Sequence, residues 1–563
     1  MWGRSFGRSK KLHTEIDPDE IFIDSSNLPE FNKDQFEGRI ERPINQRTLG
    51  AAAGVMALIL LSLMVRAVNL QIVHGASYAQ RAIDNQLAQT TIFADRGIIT
   101  DRNGLILASN DRVSVTDDFA ARIYSSYRGI SHTVGYVKSP AKDSSGTYFR
   151  KEFDGMDGVE EVYNTKLAGQ NGLKLTETDA RGKVVSESTI QPPTAGEELH
   201  LSVDAKLTQG LYDVLVKTAQ ASGFQGGAGV MIDVQTGEIV AMASYPEYSS
   251  QAVTNGDKAA IAALNSSKNQ PFLNRAIDGL YAPGSIVKPI MGIAVLTEGV
   301  ISPDKQILST GQISLPNPYD PAHPSIFKDW RANGWVNVRQ AIAVSSDVYF
   351  YAVGGGYQDQ KGIGIDNIDK YLQMFGYGVK TGIEGFTEPT GNIPTPAWKE
   401  ANFDGDPWRI GDTYHTAIGQ YGMQVTPLQA ARSAAAVANN GKMLVPTLIA
   451  SSTPKFTQLN LPANNFEIVR EGMRMGVTEG IAQAVKFDFV HVAAKTGTAQ
   501  IGTHNQFLNS WMIGFFPYEK PKYAYAIVLE RGPAGTLIGA SATVGQFFLW
   551  MRDNTPQYFA AQQ

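Results

Sequence analysis

The chain has 563 residues, of which 43% are hydrophobic and 18% charged, so it is long and apolar enough for several folded domains. Its formal net charge of -5 gives no indication of nucleic-acid binding. The absence of cysteine excludes disulfides and thiolate metal sites, and the eight histidines show no metal-ligand spacing. We therefore expect neither a metal nor a cofactor.

The N-terminal part of the chain predicts a membrane anchor. Residues 1–46 are polar, with several Asp, Glu and Pro and little periodicity, which predicts a largely disordered tail. Residues 48–65 carry no charge, and roughly 20 apolar residues in a helix cross a bilayer. We expect a transmembrane helix over residues 47–70, and no second span appears later in the sequence.

The charges beside this span predict its orientation. Arg39, Arg42 and Arg47 precede it, whereas no Lys or Arg lies between Arg66 and Arg81. The positive-inside rule then predicts a cytoplasmic N-terminus and an extracytoplasmic (periplasmic) C-terminal portion.

Residues 71–201 predict a spacer or interaction domain. Helical spacing continues to about residue 89, and residues 92–110 read as a strand, an Asp-Arg-Asn-Gly turn and a second strand. The glycine-rich stretch 121–201 contains short strand candidates and polar turns but no catalytic constellation.

Residues 202–555 predict one α+β domain, in which strands from both ends form a single sheet covered by helices. The expected elements are a helix at 204–222, a hairpin at 227–244, a mainly helical region at 260–448 with long loops at 305–328 and 376–412, strands at 490–494, 510–516 and 523–529, and a helix at 539–552.

Ser285 and Lys288 lie three residues apart after a Pro-Gly break, at the head of an apolar run that predicts a buried helix. Residues three apart share a helix face, so the lysine amine can reach the serine hydroxyl and take its proton. Pro289 removes one backbone donor, so we expect an irregularity there.

Two further motifs lie in the same domain. Residues 345–347 (Ser-Ser-Asp) follow a predicted helix at 338–344, and residues 495–498 (Lys-Thr-Gly-Thr) end a predicted strand and begin a turn. Each motif alone is typical of an ordinary helix cap or turn. Here Ser-x-x-Lys is followed by Ser-x-Asp and then by Lys-Thr-Gly, and this conjunction in this order is not expected by chance. Ser-x-x-Lys, Ser-Asp-Asn and Lys-Thr-Gly together are the signature set of active-site serine β-lactamases and penicillin-binding proteins.

Residues 66–550 resemble the class B penicillin-binding proteins, the monofunctional D,D-transpeptidases of peptidoglycan. The segments that support this resemblance, called the supporting segments below, are Asn85, Arg96-Gly97, 101–104 (Asp-Arg-Asn-Gly), 158–160 (Gly-Val-Glu), Asn274-Arg275, 417–420 (Ala-Ile-Gly-Gln), 425–429 (Val-Thr-Pro-Leu-Gln) and 510–517 (Ser-Trp-Met-Ile-Gly-Phe-Phe-Pro). The resemblance implies that residues 71–201 are the family's non-catalytic, dimerisation-type pedestal and that residues 202–555 are its transpeptidase domain.

The resemblance also implies roles for the first two motifs. Ser285 would attack the carbonyl of the penultimate D-alanine of a stem peptide and form an acyl-enzyme, and Lys288 would be the base. Ser345 would relay a proton to the leaving group. Most of the family has Asn where this chain has Asp347. Asp at this position is frequent in the elongation-type, penicillin-binding protein 2-like branch, so it favours elongation over division.

The third motif is implied to hold the substrate. Lys495 would bind the substrate carboxylate with help from the hydroxyls of Thr496 and Thr498, and Gly497 would let the strand approach the substrate closely. The backbone N–H groups of Ser285 and Thr498 would form the oxyanion hole.

The sequence departs from the family pattern in two places, and the resemblance also implies partners. The usual Ile-Gly-Gln-Gly appears as Ile-Gly-Gln-Tyr-Gly with Tyr421, which shifts a glycine. Some relatives hold zinc through a cluster that includes cysteine. This chain has no cysteine, so we carry over no metal site, and we predict that His323 is a loop residue. β-Lactams would acylate the same serine, and a RodA- or FtsW-type glycosyltransferase would be the polymerising partner in the membrane.

Three alternatives remain open at this point. The first is a septal, division-type transpeptidase, and the second is a β-lactam sensor or β-lactamase of the same fold. The third is a non-catalytic scaffold that binds cell-wall partners, which has no need of Ser285, Lys288 and Lys495 together.

Overall fold

The computed structural model describes residues 45–112, 114, 117–178, 184–317 and 320–559. The described residues form two compact units, which divide between Ala88 and Gln89. Most of the predicted disordered tail, residues 1–44, lies outside the described residues.

The first unit is helical where it is described. Helix α1 (Gln46–Val68) continues through a π-helical turn (Asn69–Val73) and is followed by helix α2 (Gly75–Gln86). Over Gln46–Val73 the mean hydropathy of the most apolar window is 2.3, and none of that window is buried in protein. By length and composition this helix is able to cross a membrane, as the sequence predicted.

The N-terminal part of the second unit consists of short strands and helices, and its buried residues Ile99, Leu107, Val134 and Val159 belong to a hydrophobic core that continues into the C-terminal part. Four of its strands form a sheet in the order β11-β2-β3-β4. The strands are β1 (Leu87–Ile92), β2 (Ile99–Thr100), β3 (Ile106–Asp111), β4 (Ala121–Tyr124), β5 (Val137–Lys138), β6 (Ala141–Lys142), β7 (Tyr148–Arg150), β8 (Asp154–Gly155), β9 (Gly172–Thr178), β10 (Val184–Gln191) and β11 (Leu199–His200), and the helices are α3 (Ser131–Val134), α4 (Gly158–Val162) and α5 (Asn164–Ala168).

A buried ion cluster stabilises this N-terminal part and explains two of the supporting segments, Arg96-Gly97 and 158–160. Glu160 accepts from Arg96 Nε at 2.6 Å and from Arg122 Nε at 2.8 Å, and all three side chains are fully buried. Two guanidinium groups buried in protein require a carboxylate partner, because an isolated buried charge is very costly.

We expect Glu160→Gln to destabilise the protein by about 3–5 kcal/mol, since it leaves two buried cations without a counter-charge. Thermal or urea unfolding would measure this loss. Glu187→Gln, which removes the partly exposed pair with Lys174, is the matched control and should cost no more than about 1 kcal/mol. Equal losses in the two variants would contradict the assigned role of the buried cluster.

The C-terminal part of the second unit is a three-layer α+β structure. Its helices are α6 (Ala205–Ser222), α7 (Ser250–Thr254), α8 (Lys258–Ser266), α9 (Lys288–Thr297), α10 (Val338–Val344), α11 (Asp347–Gly355), α12 (Ile365–Met374), α13 (Pro396–Asn402), α14 (Ile410–Ala417), α15 (Pro427–Ala438), α16 (Ala463–Thr478) and α17 (Ala540–Asn554). Its strands are β12 (Gly226–Asp233), β13 (Ile239–Tyr245), β14 (Ile307–Ser309), β15 (Gln312–Leu315), β16 (Ser325–Lys328), β17 (Gly334–Val336), β18 (Lys442–Leu444), β19 (Phe456–Gln458), β20 (Ala493–Ile501), β21 (Phe507–Phe516) and β22 (Tyr523–Pro533).

The central sheet is antiparallel, in the order β13-β12-β22-β21-β20. Because successive strand residues point to opposite faces, Val230 and Ile232 join the core on one side and Met231 joins the core on the other. Helices α6 and α17 contact one face of the sheet and α15 the other. The predicted sheet built from distant segments is therefore confirmed.

Three local predictions were wrong. The expected long loop at 376–412 contains helix α13 and the start of α14. The expected long loop at 305–328 contains strands β14, β15 and β16, two of which form a small antiparallel hairpin. The strand predicted at 490–494 begins at Ala493 and runs to Ile501, so the Lys-Thr-Gly-Thr motif lies within it rather than at its end. Pairing with β21 along its whole length keeps this segment extended despite its glycine.

Candidate active site

Residues of all three motifs line one cleft of about 1150 Å³ beside strand β20, whereas Lys288 itself is buried. Its described lining includes Ser285, Ser345, Asp347, Thr496 and Thr498. The structure therefore brings together residues from segments far apart along the chain.

Ser285 lies in a 3-10 turn (Gly284–Val287) that leads into helix α9. Its side chain is half-buried, and among the described residues its hydroxyl makes no hydrogen bond. Pro289 lies in the first turn of α9, where the missing N–H costs no helical bond, so the expected irregularity is the change from 3-10 to α-helix just before it.

Backbone contacts fix the position of the serine turn. The Gly284 N–H donates to Gly419 O at 2.9 Å, and Trp511 Nε1 donates to Ala282 O at 2.9 Å. Gly419 and Trp511 belong to two of the supporting segments, 417–420 and 510–517. The contacts show what these two segments do: they hold the turn that carries Ser285.

Lys288 is fully buried, and its amine binds the second motif rather than Ser285. Its Nζ donates to Ser345 O at 2.8 Å, lies 3.2 Å from Ser345 Oγ, and pairs with Asp347 Oδ1 at 2.6 Å. The hydrogen bond between Lys288 and Ser285 that the helical spacing suggested is not formed in this structure.

Ser345 ends helix α10 in a left-handed conformation, with φ of 58°. A non-glycine residue rarely adopts this conformation, and here it turns the chain between α10 and α11. The Ser345 hydroxyl lies 2.8 Å from Lys495 Nζ as well as 3.2 Å from Lys288 Nζ, so it bridges two lysine amines.

Lys495 is buried beneath the cleft, where its Nζ contacts Ser345 Oγ and donates to Thr496 O at 2.7 Å. Burial, followed by the nearby charge of Lys288, lowers the pKa of Lys495 well below its ordinary value. In this structure the amine faces Ser345, which differs from the direct carboxylate contact that the resemblance implied.

Thr496 and Thr498 face the cleft, whereas Gly497 faces the serine turn. A Cβ on Gly497 would lie 2.8 Å from Ile286 Cγ2 and 2.9 Å from Pro283 O. The glycine therefore allows β20 to approach the turn that carries Ser285, rather than the substrate directly.

Tyr421 replaces the glycine of the family pattern and forms part of the cleft wall. It has φ of 64°, a value that favours glycine, and its ring stacks on Phe403 and contacts the edges of Trp398 and Trp408. Packing of these aromatic rings stabilises the strained backbone at Tyr421. The geometry of this loop could not be predicted from the sequence.

Asp329 is a cleft residue that the sequence reasoning missed. Its Oδ2 accepts from Ser346 Oγ at 2.8 Å and from Val348 N at 3.1 Å, and it thereby fixes the start of helix α11. No motif or periodicity marks it, because its partners lie in a different segment of the chain.

His323 is exposed beside Asp320, as predicted, and no cluster of metal-ligating side chains occurs among the described residues.

The family described as penicillin binding protein transpeptidase domain matches residues 227–546, and the penicillin-binding protein dimerisation domain matches residues 113–201. Peptidoglycan D,D-transpeptidase MrdA of Escherichia coli (strain K12) is 28% identical over 88% of this chain and 92% of its own length.

Solved structures agree with this match. Pseudomonas aeruginosa PBP2 in complex with WCK 5153 is 30% identical, with a TM-score of 0.66 over 82% of this chain and 98% of that chain. A chain of a peptidoglycan synthase complex that coordinates polymerization and crosslinking is 27% identical, with a TM-score of 0.68 over 89% of this chain and 97% of that chain. The chain therefore belongs to the penicillin-binding proteins with a transpeptidase domain, and the predicted α+β fold and penicillin-binding protein 2-like resemblance are confirmed.

Proposed function

We propose that the chain is a membrane-anchored peptidoglycan D,D-transpeptidase that cross-links stem peptides during cell-wall elongation. The observation that carries the proposal is the chain of groups Lys288–Ser345–Lys495 in the cleft that Ser285 lines. A non-catalytic scaffold has no use for two buried amines arranged around one hydroxyl.

In the proposed first step, Ser285 Oγ attacks the carbonyl carbon of the penultimate D-alanine. The peptide C–N bond breaks, D-alanine leaves with a proton on its nitrogen, and an ester to Ser285 remains. The low pKa of Lys495 favours a neutral amine in the Lys288–Ser345–Lys495 chain. A proton can then pass from the charged Lys288 through Ser345 to Lys495, which leaves Lys288 able to take the proton of Ser285. Ser345 gives its proton to the leaving nitrogen and is reprotonated by Lys495.

In the second step, an amine of another stem peptide attacks the ester carbon and closes the cross-link, and Ser285 regains its proton. Ser285 lies in the first turn of a helical segment, where backbone N–H groups lack intrahelical partners, which supports its N–H as one oxyanion donor. Thr498 N–H is proposed as the second donor. Thr496 and Thr498 hydroxyls are proposed to hold the terminal carboxylate, with Lys495 acting through Ser345.

The cellular setting is part of the proposal. Helix α1 is proposed to cross the cell membrane once, with residues 1–46 in the cytoplasm, 71–201 as the pedestal and 202–555 as the extracytoplasmic transpeptidase domain. A RodA- or FtsW-type glycosyltransferase is the proposed partner, supported by the match to a chain of a peptidoglycan synthase complex. β-Lactams are proposed to acylate Ser285.

Incubation of the purified full-length protein with pentapeptide-bearing glycan strands tests the function. We expect release of D-alanine in step with formation of cross-linked peptide dimers, and inhibition of both by a penicillin. Release of D-alanine without any dimer, even with excess acceptor, would identify a carboxypeptidase instead. Rapid turnover of the penicillin itself would favour the β-lactamase alternative.

A further inference from the structure

Four described residues that line the cleft can carry charge near neutral pH, and three of them are already engaged. Asp347 pairs with Lys288, and Asp329 accepts from Ser346 and Val348. His415 packs against Phe327, and burial lowers its pKa below the ordinary value, so it is neutral.

Lys328 is the fourth charged residue of the lining, and it differs from the others. Its side chain is exposed and, among the described residues, has neither an ion pair nor a hydrogen bond. It therefore contributes a cation to the cleft that no carboxylate of the described residues contacts.

The backbone of Lys328 is held in place, although its side chain has no partner in the part of the chain that the structure describes. Strand β16 pairs with β15, with Lys328 opposite Gln312, and Lys328 O accepts from Tyr351 Oη at 3.3 Å. The preceding residue, Phe327, packs with its ring 5.0 Å from that of Tyr414. The ammonium group is thus tethered at a defined place along the cleft.

We propose that Lys328 determines substrate specificity by binding a second carboxylate of the donor stem peptide, remote from the C-terminal one. This inference rests on the proposed function, in which the C-terminal carboxylate occupies Thr496 and Thr498 on strand β20. Lys328 lies on strand β16, a separate element of the same cleft, which favours contact with a different carboxylate. Two sources share this chemistry: the α-carboxylate of a γ-linked glutamate and the side-chain carboxylate of a diamino acid.

Three synthetic pentapeptides that end in D-Ala-D-Ala distinguish these sources: one with both carboxylates free, and two in which one or the other is a carboxamide. We expect the full-length protein to lose about three- to fivefold in kcat/KM for D-alanine release when the recognised carboxylate is amidated. Lys328→Met should remove this preference, Lys328→Glu should reverse it, and added salt should weaken it. Lys520→Met, at an exposed lysine outside the cleft, is the matched control and should keep the wild-type preference.

Acylation by benzylpenicillin separates this inference from the proposed function. We expect Lys328→Met to be acylated at the wild-type rate, because benzylpenicillin carries one carboxylate. Normal acylation, together with no preference in the wild type or an unchanged preference in Lys328→Met, would overturn the role of Lys328. Failure of the wild type to be acylated would overturn the proposed function itself.

Discussion

Ser285→Ala is expected to abolish covalent labelling by a fluorescent penicillin and to lower peptide cross-linking by a factor on the order of 10⁶, as when another serine acyl-transfer enzyme loses its nucleophile. The physical reason is that the described cleft lining contains two serines, and Ser345 lies between Lys288 and Lys495 whereas the Ser285 hydroxyl makes no hydrogen bond. The fold should survive, because Ser285 forms no side-chain hydrogen bond that the substitution would break. Gel fluorescence and a cross-linking assay measure both effects.

The matched control is Ser302→Ala, at an exposed serine outside the cleft, which should label like the wild type. Labelling that persisted in a folded Ser285→Ala protein would mean that another residue is the nucleophile.

Lys288→Met is expected to slow acylation by penicillin by about 10²- to 10⁴-fold, since it removes a group that takes part in proton transfer. It also leaves Asp347 without its partner at 2.6 Å, so the variant should unfold at a lower temperature. Acylation rates measured well below that temperature separate the chemical effect from the loss of stability.

The pH profile gives a second readout of this variant. In the wild type the pKa of Lys495 is lowered by burial and then by the charge of Lys288, so Lys495 gains a proton, and acylation falls, at a lower pH than an ordinary lysine would. Without Lys288, one cause of the lowering disappears and the attraction of Asp347 remains, so the pKa of Lys495 should rise. The acid limb of the rate profile should move to higher pH, and an unmoved limb would contradict the proposed coupling of the two amines.

Much of the fold could be predicted because local patterns determine it. Helix α6 begins after its cap Asp204 and ends before Gly223, as the amphipathic pattern indicated, and α10 spans the predicted residues. The motif residues were also predictable as a set, because the order and spacing of three short motifs carry information that none of them carries alone.

The contacts among those residues were not predictable from local pattern. Lys288 meets Ser345 across 57 positions of sequence, and Lys495 meets Ser345 across 150, so neither contact leaves a periodic signal. The spacing of Ser285 and Lys288 suggested a direct hydrogen bond between them. In the structure the Lys288 amine instead forms an ion pair with Asp347, because a carboxylate is a stronger partner for an ammonium group than a hydroxyl is.

Peptide mapping by mass spectrometry of the full-length protein after reaction with benzylpenicillin tests the identity of the nucleophile most directly. Ring opening loses no atoms, so we predict one adduct with the full mass of the penicillin, carried by the peptide that contains Ser285 and localised to that residue. An adduct on any other residue, or a protein that stays unmodified while correctly folded, would contradict the assignment of Ser285 as the acyl-carrying serine.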